Sequence, residues 1–480
     1  MLFKGIIPLL LFVCIFSACR KDQAILKQPG TLQFSEDTVY FDTVFTRLPG
    51  SQYPRSVNKR FMIRNPYKET VNINARLMGG SNSVYRINID GRSAIDFKAV
   101  EILPEDSAWV FVEATLEPNS LTQPALVRDS IQFETNGNIQ YIQLAAYGWD
   151  AYYLKDTVFT GNTSLLLTDK PYVIVNAAYV DSGATLNIGP GLHFYSTPNS
   201  GFTRSNGEII EVSALNVFGT LKVNGNKSNP VIFEGDRLDN NYADVPGQWR
   251  GIHFFRFSVN NEIKHAVIKN ATRGVWVDSL PQSGQYTLVI RNSIIKNISG
   301  YGILGLTAKL RVENTVISNC GANTVLMYYG GHYEFLHCSL HSNTRDPHVL
   351  ANNLLRNDNK QIIRRYKLQY LFFNSIIWAN GGKDVNTVGE DIDPNPSWFN
   401  DTSGYSYCYV RSKDPIRRDA GTIVTDDATK SPKFIDAGKN NLKLGAGSPA
   451  KDKGRNDLGI TQDLEEKSRD SQPDMGAYEL

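Results

Sequence analysis

Between about Thr31 and Leu154, apolar and polar residues alternate in short runs: VYFDTVF (39–45), KRFMIRN (59–65), TVNINARLM (70–78), VYRINID (84–90), SAWVFVEATL (107–116), DSIQFET (129–135) and IQYIQLAAYG (139–148). A period of two is that of a strand with one buried face. Seven such runs separated by turn residues predict an antiparallel, immunoglobulin-like β-sandwich over 31–155. Asn136-Gly137, between the last two runs, is a two-residue hairpin signal. No His, Cys or carboxylate pair stands out in this stretch, so it reads as a spacer or interaction module.

Beyond Leu154 the pattern becomes repetitive. LVIRNSIIKN (288–297), LRVENTVISN (310–319), FLHCSLHSN (335–343) and LFFNSIIWAN (371–380) align on one another, with a weaker copy in IKHAVIKN (263–270). His265, Asn292, Asn314, Cys338 and Asn374 then occupy equivalent positions, 27, 22, 24 and 36 residues apart. Such recurrence predicts stacked coils. Alternation puts Val312, Asn314 and Val316 on the interior, where stacked amides form a ladder and Cys338 is a small buried substitute. Three outward columns follow: Val289, Arg311, Phe335, Leu371; Arg291, Glu313, His337, Phe373; and Ser293, Thr315, Ser339, Ser375. A leucine-rich horseshoe would need regular Leu spacing and intervening helices, which the pattern lacks.

Composition narrows the partners. The 480 residues hold 50 Lys+Arg against 48 Asp+Glu, a net charge of +2, too little excess cation for a nucleic-acid binder. The abundant Asn (41) and Gly (38) fit turns and coil corners better than helices. Residues 1–19, MLFKGIIPLLLFVCIFSAC, carry one cation and an apolar run too short to span a bilayer, so 1–18 reads as a signal peptide. Ser17-Ala18-Cys19 resembles a bacterial lipobox, with Phe16 where Leu is usual. The resemblance implies lipidation at Cys19, a linker over 19–30, and attachment to membrane lipid through an N-terminal acyl anchor. Cys320, Cys338 and Cys408 remain, an odd number that argues for buried free thiols rather than a disulfide framework.

ATLNIGPGLHF (184–194), LNVFGTLKVNGNKSNPVIFEG (215–235), SPKFIDAGKNNLKLGAGSPAKDKG (431–454) and DMGAYEL (474–480) resemble exported right-handed parallel β-helix proteins of the pectin-lyase-like superfamily. The resemblance covers about 175–480 and departs from the family at QDLEEKSR (462–469), where a Gly-containing turn is common. The expected fold class is all-β: the sandwich, then a right-handed parallel β-helix over 156–480 with a closing segment. In β-helix lyases and hydrolases the site is a groove outside one sheet. Lyases there use Ca²⁺ held by carboxylates or a Lys/Arg base, and hydrolases use spaced carboxylates.

Against those requirements the candidate catalytic residues are Arg291, Arg311, Glu313 and His337. They read either as surface ion pairs or as a grip on an acidic sugar. His332, His337, His341 and His348 cluster along the chain without an Asp or Cys at ligand spacing. Glu390, Asp391 and Asp393 are the candidate metal ligands, Ca²⁺ being the one ion their chemistry suggests; no other cofactor is expected. Asp426-Asp427 lacks the neighbouring His and Lys of β-helix hydrolases. Candidate ligand-binding residues are Tyr328, Tyr329, Arg364, Arg365 and Trp378. Trp249, Trp276, Tyr405, Tyr407 and Tyr409 are further aromatic candidates, Trp276 being the one most expected in the core. The long insertion at 344–370 carries Arg345, Arg356, Arg364, Arg365 and Lys367. The expected function is a lipoprotein of a Gram-negative outer membrane that binds glycans or other surface polymers. A polysaccharide lyase or glycoside hydrolase, and a structural protein without ligand, are the alternatives.

Overall fold

A computed structural model describes residues 24–48, 57–118, 124–198, 214–239, 241–278, 284–343, 348–380 and 386–480, with the backbone of 202–203 and 209–210. The segment 1–18 expected to be a signal peptide, Cys19 and Arg345 lie outside the described residues. The chain divides into two compact units at Asp150/Ala151. No described helix is long and apolar enough to cross a membrane.

The first unit is a β-sandwich. One sheet runs in the order Gln33–Phe34, Val57–Arg64, Ser107–Ala114, Tyr85–Ile89, Arg92–Ala94; the other runs Thr38–Phe45, Asn138–Trp149, Ala125–Thr135, Val71–Leu77, Asp96–Ile102. All seven alternating runs are strands, and the pairing is antiparallel except where Thr38–Phe45 lies parallel to Asn138–Trp149 and where Ile25 makes a parallel bridge to Thr70. Asn136 and Gly137 take φ of 50° and 88° between the paired Thr135 and Asn138, as a two-residue hairpin demands. Phe41, Phe61, Ile63, Val110, Ile131, Phe133 and Leu144 pack between the sheets.

The second unit is a parallel β-helix. Twenty-five strands form one continuous ladder in which each coil pairs in parallel with the next. Tyr152–Phe159 opens it by pairing with Tyr172–Val180. The coils have three faces. The first includes Leu215–Val217, Ile252–Phe254, Val275–Asp278, 303–306, 325–328, Val349–Asn352 and Val388–Asp391. The second includes Thr220–Asn224, Asn261–Lys264, Leu288–Arg291, 308–313, 331–336 and Leu368–Phe373. The third includes Val231–Gly235, Ala266–Lys269, Ile294–Ile298, Val316–Cys320, Ser339–Ser342, Ile376–Ala379 and Tyr409–Arg411. Inward residues stack like on like from coil to coil: Phe335 lies on Phe372 at 4.5 Å and 5°, and Phe372 on Tyr405 at 5.2 Å. Backbones approach so closely that a Cβ on Gly251 (φ 89°) would sit 1.7 Å from the Arg273 carbonyl oxygen, which only glycine permits. Cys320, Cys338 and Cys408 are free and buried, and burial pushes the first two thiols up to about 12.

The asparagine ladder needs correcting. His265, Asn292, Asn314, His337 and Asn374 have φ of 46–53° and turn the corner between the second and third faces. The hydrogen-bond register pairs Glu313 with Leu336, so His337, not Cys338, holds the position of Asn314. The turn also resets the alternation. Val316 therefore points outward on the third face, while Ile317 takes the interior.

Residues 431–480 do not cap the end of the β-helix. They lie as a strap along the outside of the third face. Leu442, Leu464, Ala477 and Tyr478 cover Ile294 and Val316, and Leu444, Ala450 and Met475 cover Ile376, Trp378 and Tyr409. The corner residues hold the strap: Asn314 Nδ2 donates to the Gln462 carbonyl (2.8 Å), Asn374 Nδ2 to that of Arg455 (2.8 Å), and Arg469 to Asn314 Oδ1 (3.0 Å). Within residues 462–469, Asp463 accepts from the amides of Glu465 and Lys467, and also from that of Glu479, which fixes the turn there.

Candidate functional site

The second face is the charged one. Because its strands alternate and stack in register, Glu262, Val289, Arg311, Glu334 and Leu371 form one outward column and Lys264, Arg291, Glu313, Leu336 and Phe373 the next. Ion pairs run through both: Glu262 to Arg291 (2.5 Å), Arg291 to Glu313 (2.9 Å), Glu313 to Arg311, and Arg311 to Glu334 (2.9 Å). Glu334 also receives Tyr286 Oη (2.9 Å) and faces His332 Nε2 (3.0 Å), whose Nδ1 faces Gln369 Oε1 (3.0 Å). Burial opposes the charge on Glu334, but the bonds from His332 and Tyr286 and the Arg311 guanidinium outweigh it and hold the carboxyl at about 2. Burial likewise works against the charge on Arg311, yet Glu313 and its neighbours raise it above the usual guanidinium value. Two guanidiniums bracketed by three carboxylates leave this stretch no excess positive potential for an acidic sugar.

Next to this ladder, at the corner of the first and second faces, is a cleft of about 540 Å³ lined by His332, Lys367, Gln369, Trp398, Asn400 and Asp401 among others. Trp398 stands 36% exposed at its wall. Asp401 is shared with a second cleft of about 470 Å³ that continues past Leu371 to Arg417 and Asp419. Tyr329 turns the same corner with φ 58°, an unfavourable conformation for a bulky residue. Its ring lies 4.0 Å from Tyr328 and 5.4 Å from Tyr366, and Arg364 rests 5.0 Å over Tyr366. The Tyr328 hydroxyl, with burial second, pushes the Tyr329 phenol up to about 12.

The insertion folds into a hairpin, Leu354–Arg356 with Ile362–Arg365, beside this corner. Its arginines pair with the acidic loop: Arg356 with Asp391 (2.8 Å) and Arg365 with Asp393 (2.5 Å). Glu390 meets Tyr370 Oη and Arg417. The candidate Ca²⁺ ligands Glu390, Asp391 and Asp393 are thus taken up by cations and a phenol, and among the described residues no three His, Cys, Asp or Glu converge for a metal.

Several expected site residues are corrected. His337 does not join Arg291 and Glu313. It is 2% exposed under the strap, Asn374 Nδ2 donates to its Nε2 (2.9 Å), and desolvation, with Arg469 nearby, holds it well below the ordinary imidazole value. Trp378 is 1% exposed beneath the strap, with Tyr409 5.8 Å away, so it offers no platform. Trp249, Tyr405 and Tyr409 are core residues. Trp276, expected inside, faces outward from the first face with its ring on His253 at 4.0 Å. Arg365 serves the hairpin, whereas Tyr328, Tyr329 and Arg364 do converge. Sequence reasoning missed Trp398, Gln369, Asp401, Tyr366 and Glu334. A tryptophan in the polar, proline-rich loop NPSWFN was the available signal for the first.

No known protein family matches the chain by sequence, and no curated protein does. Likenesses to solved structures cover about a quarter of it. A family 123 glycoside hydrolase from Clostridium perfringens aligns over 26% of this chain at 7% identity and TM-score 0.18, and the chain spans only 31% of that enzyme. A PapD-like domain of human CEP192 aligns over 26% of this chain and 94% of its own length at 9% identity and TM-score 0.17. The CooA pilin subunit of enterotoxigenic Escherichia coli aligns over 25% and 97% at 8% identity and TM-score 0.18. Likenesses this slight carry nothing about activity.

Proposed function

We propose that this chain is an exported lipoprotein, anchored through Cys19 in the outer membrane of a Gram-negative bacterium, that binds glycan on a right-handed β-helix of the pectin-lyase-like type. One observation carries the reading: an open cleft of about 540 Å³, a size suited to a small ligand or a short stretch of polymer, joins an exposed Trp398 to the hydrogen-bonding groups of His332, Gln369, Asn400 and Asp401. An aromatic face packs against the C–H face of a sugar while amides and carboxylates take its hydroxyls. The adjoining ladder has both its guanidiniums bound to its own carboxylates, which favours neutral sugars over uronates and binding over base catalysis.

Trp398→Ala weakens retention on a neutral glycan array about tenfold and leaves the unfolding midpoint in place, because the ring is partly exposed. Unchanged retention refutes the site. Release of ultraviolet-absorbing unsaturated products from a uronic-acid polysaccharide would make the protein a lyase instead. Cys19→Ala frees the protein from the membrane fraction; persistent association refutes the anchor.

A further inference from the structure

The cleft at Trp398 is the middle of a line of groups, and the stacking of the coils sets its course. Gly331 and His332 pair with Leu368 and Gln369, Leu368 bridges Phe399, and Tyr405 in turn bridges Arg418. The cleft and its neighbour therefore step obliquely across four successive rungs of the ladder. At roughly 4.8 Å a rung, the step from His332 to Arg418 covers about 14 Å across the coils. Asp401, in the wall of both clefts, joins the first to the second, which reaches Arg417 and Asp419.

The other end of the line is aromatic. Tyr329 and Tyr366 precede His332 and Gln369 by three residues each, at most about 10 Å of chain. Their rings lie 5.4 Å apart and both are partly exposed. Tyr329 holds φ 58°, and the next two residues, Gly330 and Gly331, take φ of 76° and 121°. Glycine is the unstrained choice at such a corner, so the backbone does not account for a tyrosine there and the ring does. Arg364, exposed over Tyr366, forms no ion pair among the described residues, and neither do Lys367 and Asp401, whereas Arg356 and Arg365 beside them do.

We propose that the glycan bound here is a linear polymer taken along its length. One stretch stacks on Tyr329 and Tyr366, the next is held at Trp398 with His332 and Gln369, and a third reaches Asp401 and Arg417. Aromatic faces alternate with uncommitted hydrogen-bonding groups along the line, as a chain of sugars requires. A single sugar fills one station, whereas a chain fills all three and gains at each. The clefts are open and continue one another, which suits an internal stretch of chain rather than its terminus. An extended peptide would add to an unpaired strand edge, but Leu368–Phe373 is bonded on both sides. The inference rests on the glycan-binding reading above and adds the length of the ligand to it.

Linear β-1,4-linked oligosaccharides of glucose, xylose and mannose, as two-unit and six-unit chains, are titrated calorimetrically into the full chain. In the series that binds, the six-unit ligand is held about tenfold more tightly than the two-unit one, and reducing its terminal aldehyde to the alditol changes nothing. Trp398→Ala weakens both lengths. Tyr366→Ala and Tyr329→Gly, the latter at ease with φ 58°, each weaken the six-unit ligand about fivefold and leave the two-unit ligand alone, at unchanged unfolding midpoints. Equal affinity for both lengths, loss of binding by the alditol, or six-unit binding untouched in both tyrosine variants overturns the proposal and leaves glycan binding in place. No binding by any of the three series overturns it as well, and retention on the glycan array then decides the broader reading separately.

Discussion

Five residues, His265, Asn292, Asn314, His337 and Asn374, hold a left-handed backbone at one corner of successive coils. Asparagine tolerates that conformation well, and histidine is one of the few others that adopts it. Four histidines of the β-helix, His265, His337, His341 and His348, carry a further cost: burial favours their neutral form. Desolvation lowers His265 and His337, and holds His341 and His348 near 4. A folded imidazole that titrates below its unfolded value of about 6.5 takes up protons less readily than the unfolded chain. Stability from His341 and His348 is therefore complete above that pH and is lost as the pH falls from about 6.5 to about 4. At full expression the loss is roughly 3 kcal/mol for each, less whatever their mutual repulsion already accounts for. The urea midpoint should fall across this window, and His341→Gln or His348→Gln should flatten the profile. A profile as steep as the parent's would exclude these two groups as its cause. The burial behind this effect was not readable in HCSLHSN, because the residues that enclose His341 come from elsewhere, Phe434 of the strap among them at 5.9 Å.

At the scale of an element, the strap explains the outward row Ile294, Val316, Ile376, Trp378 and Tyr409, which would otherwise be an apolar patch on a sheet face. Its main fastening is Arg469, whose side chain is fully buried against Glu479 (3.1 Å), Asn314 Oδ1 and the Gly476 carbonyl. Arg469→Ala strands a buried carboxylate, at a cost of about 3–5 kcal/mol. The loss should be local, with residues 431–480 cut early in limited proteolysis while the coils beneath keep their circular dichroism. Digestion at the parent rate would refute the role given to Arg469. The coil repeat and its alternation were legible because each element states them within a few residues. The register of FLHCSLHSN was not: apolar residues flank its polar ones on both sides, and a slip of one position put Phe335 for Glu334 and His337 for Leu336 in the predicted columns, and Cys338 for His337 on the predicted ladder.

Across the whole molecule, the sandwich and the β-helix have separate hydrophobic clusters with no residue in common. Two separate cores predict two calorimetric transitions rather than one; a single transition with equal calorimetric and van 't Hoff enthalpies would refute that. Charge obeys the same logic of assembly. The basic insertion and the acidic loop, distinct along the chain, neutralise each other through Arg356–Asp391 and Arg365–Asp393. The near-zero total is thus reproduced locally at the corner where the cleft lies.

Periodicity and turn residues by themselves determined the all-β class, the sandwich followed by coils and the Asn136-Gly137 hairpin, and the apolar run near Met1 raised the expectation of export. These are properties of a residue and its near neighbours, which strand geometry converts directly into inside and outside. The tertiary structure alone decided that Trp378 is core, that Trp398 and His332 meet in one cleft, and that the last 50 residues sheath the third face. Such facts depend on which coil lies above which and where each corner falls. A single positive φ resets the alternation there, so neighbours across coils are assigned by the hydrogen-bond ladder and not by the local pattern.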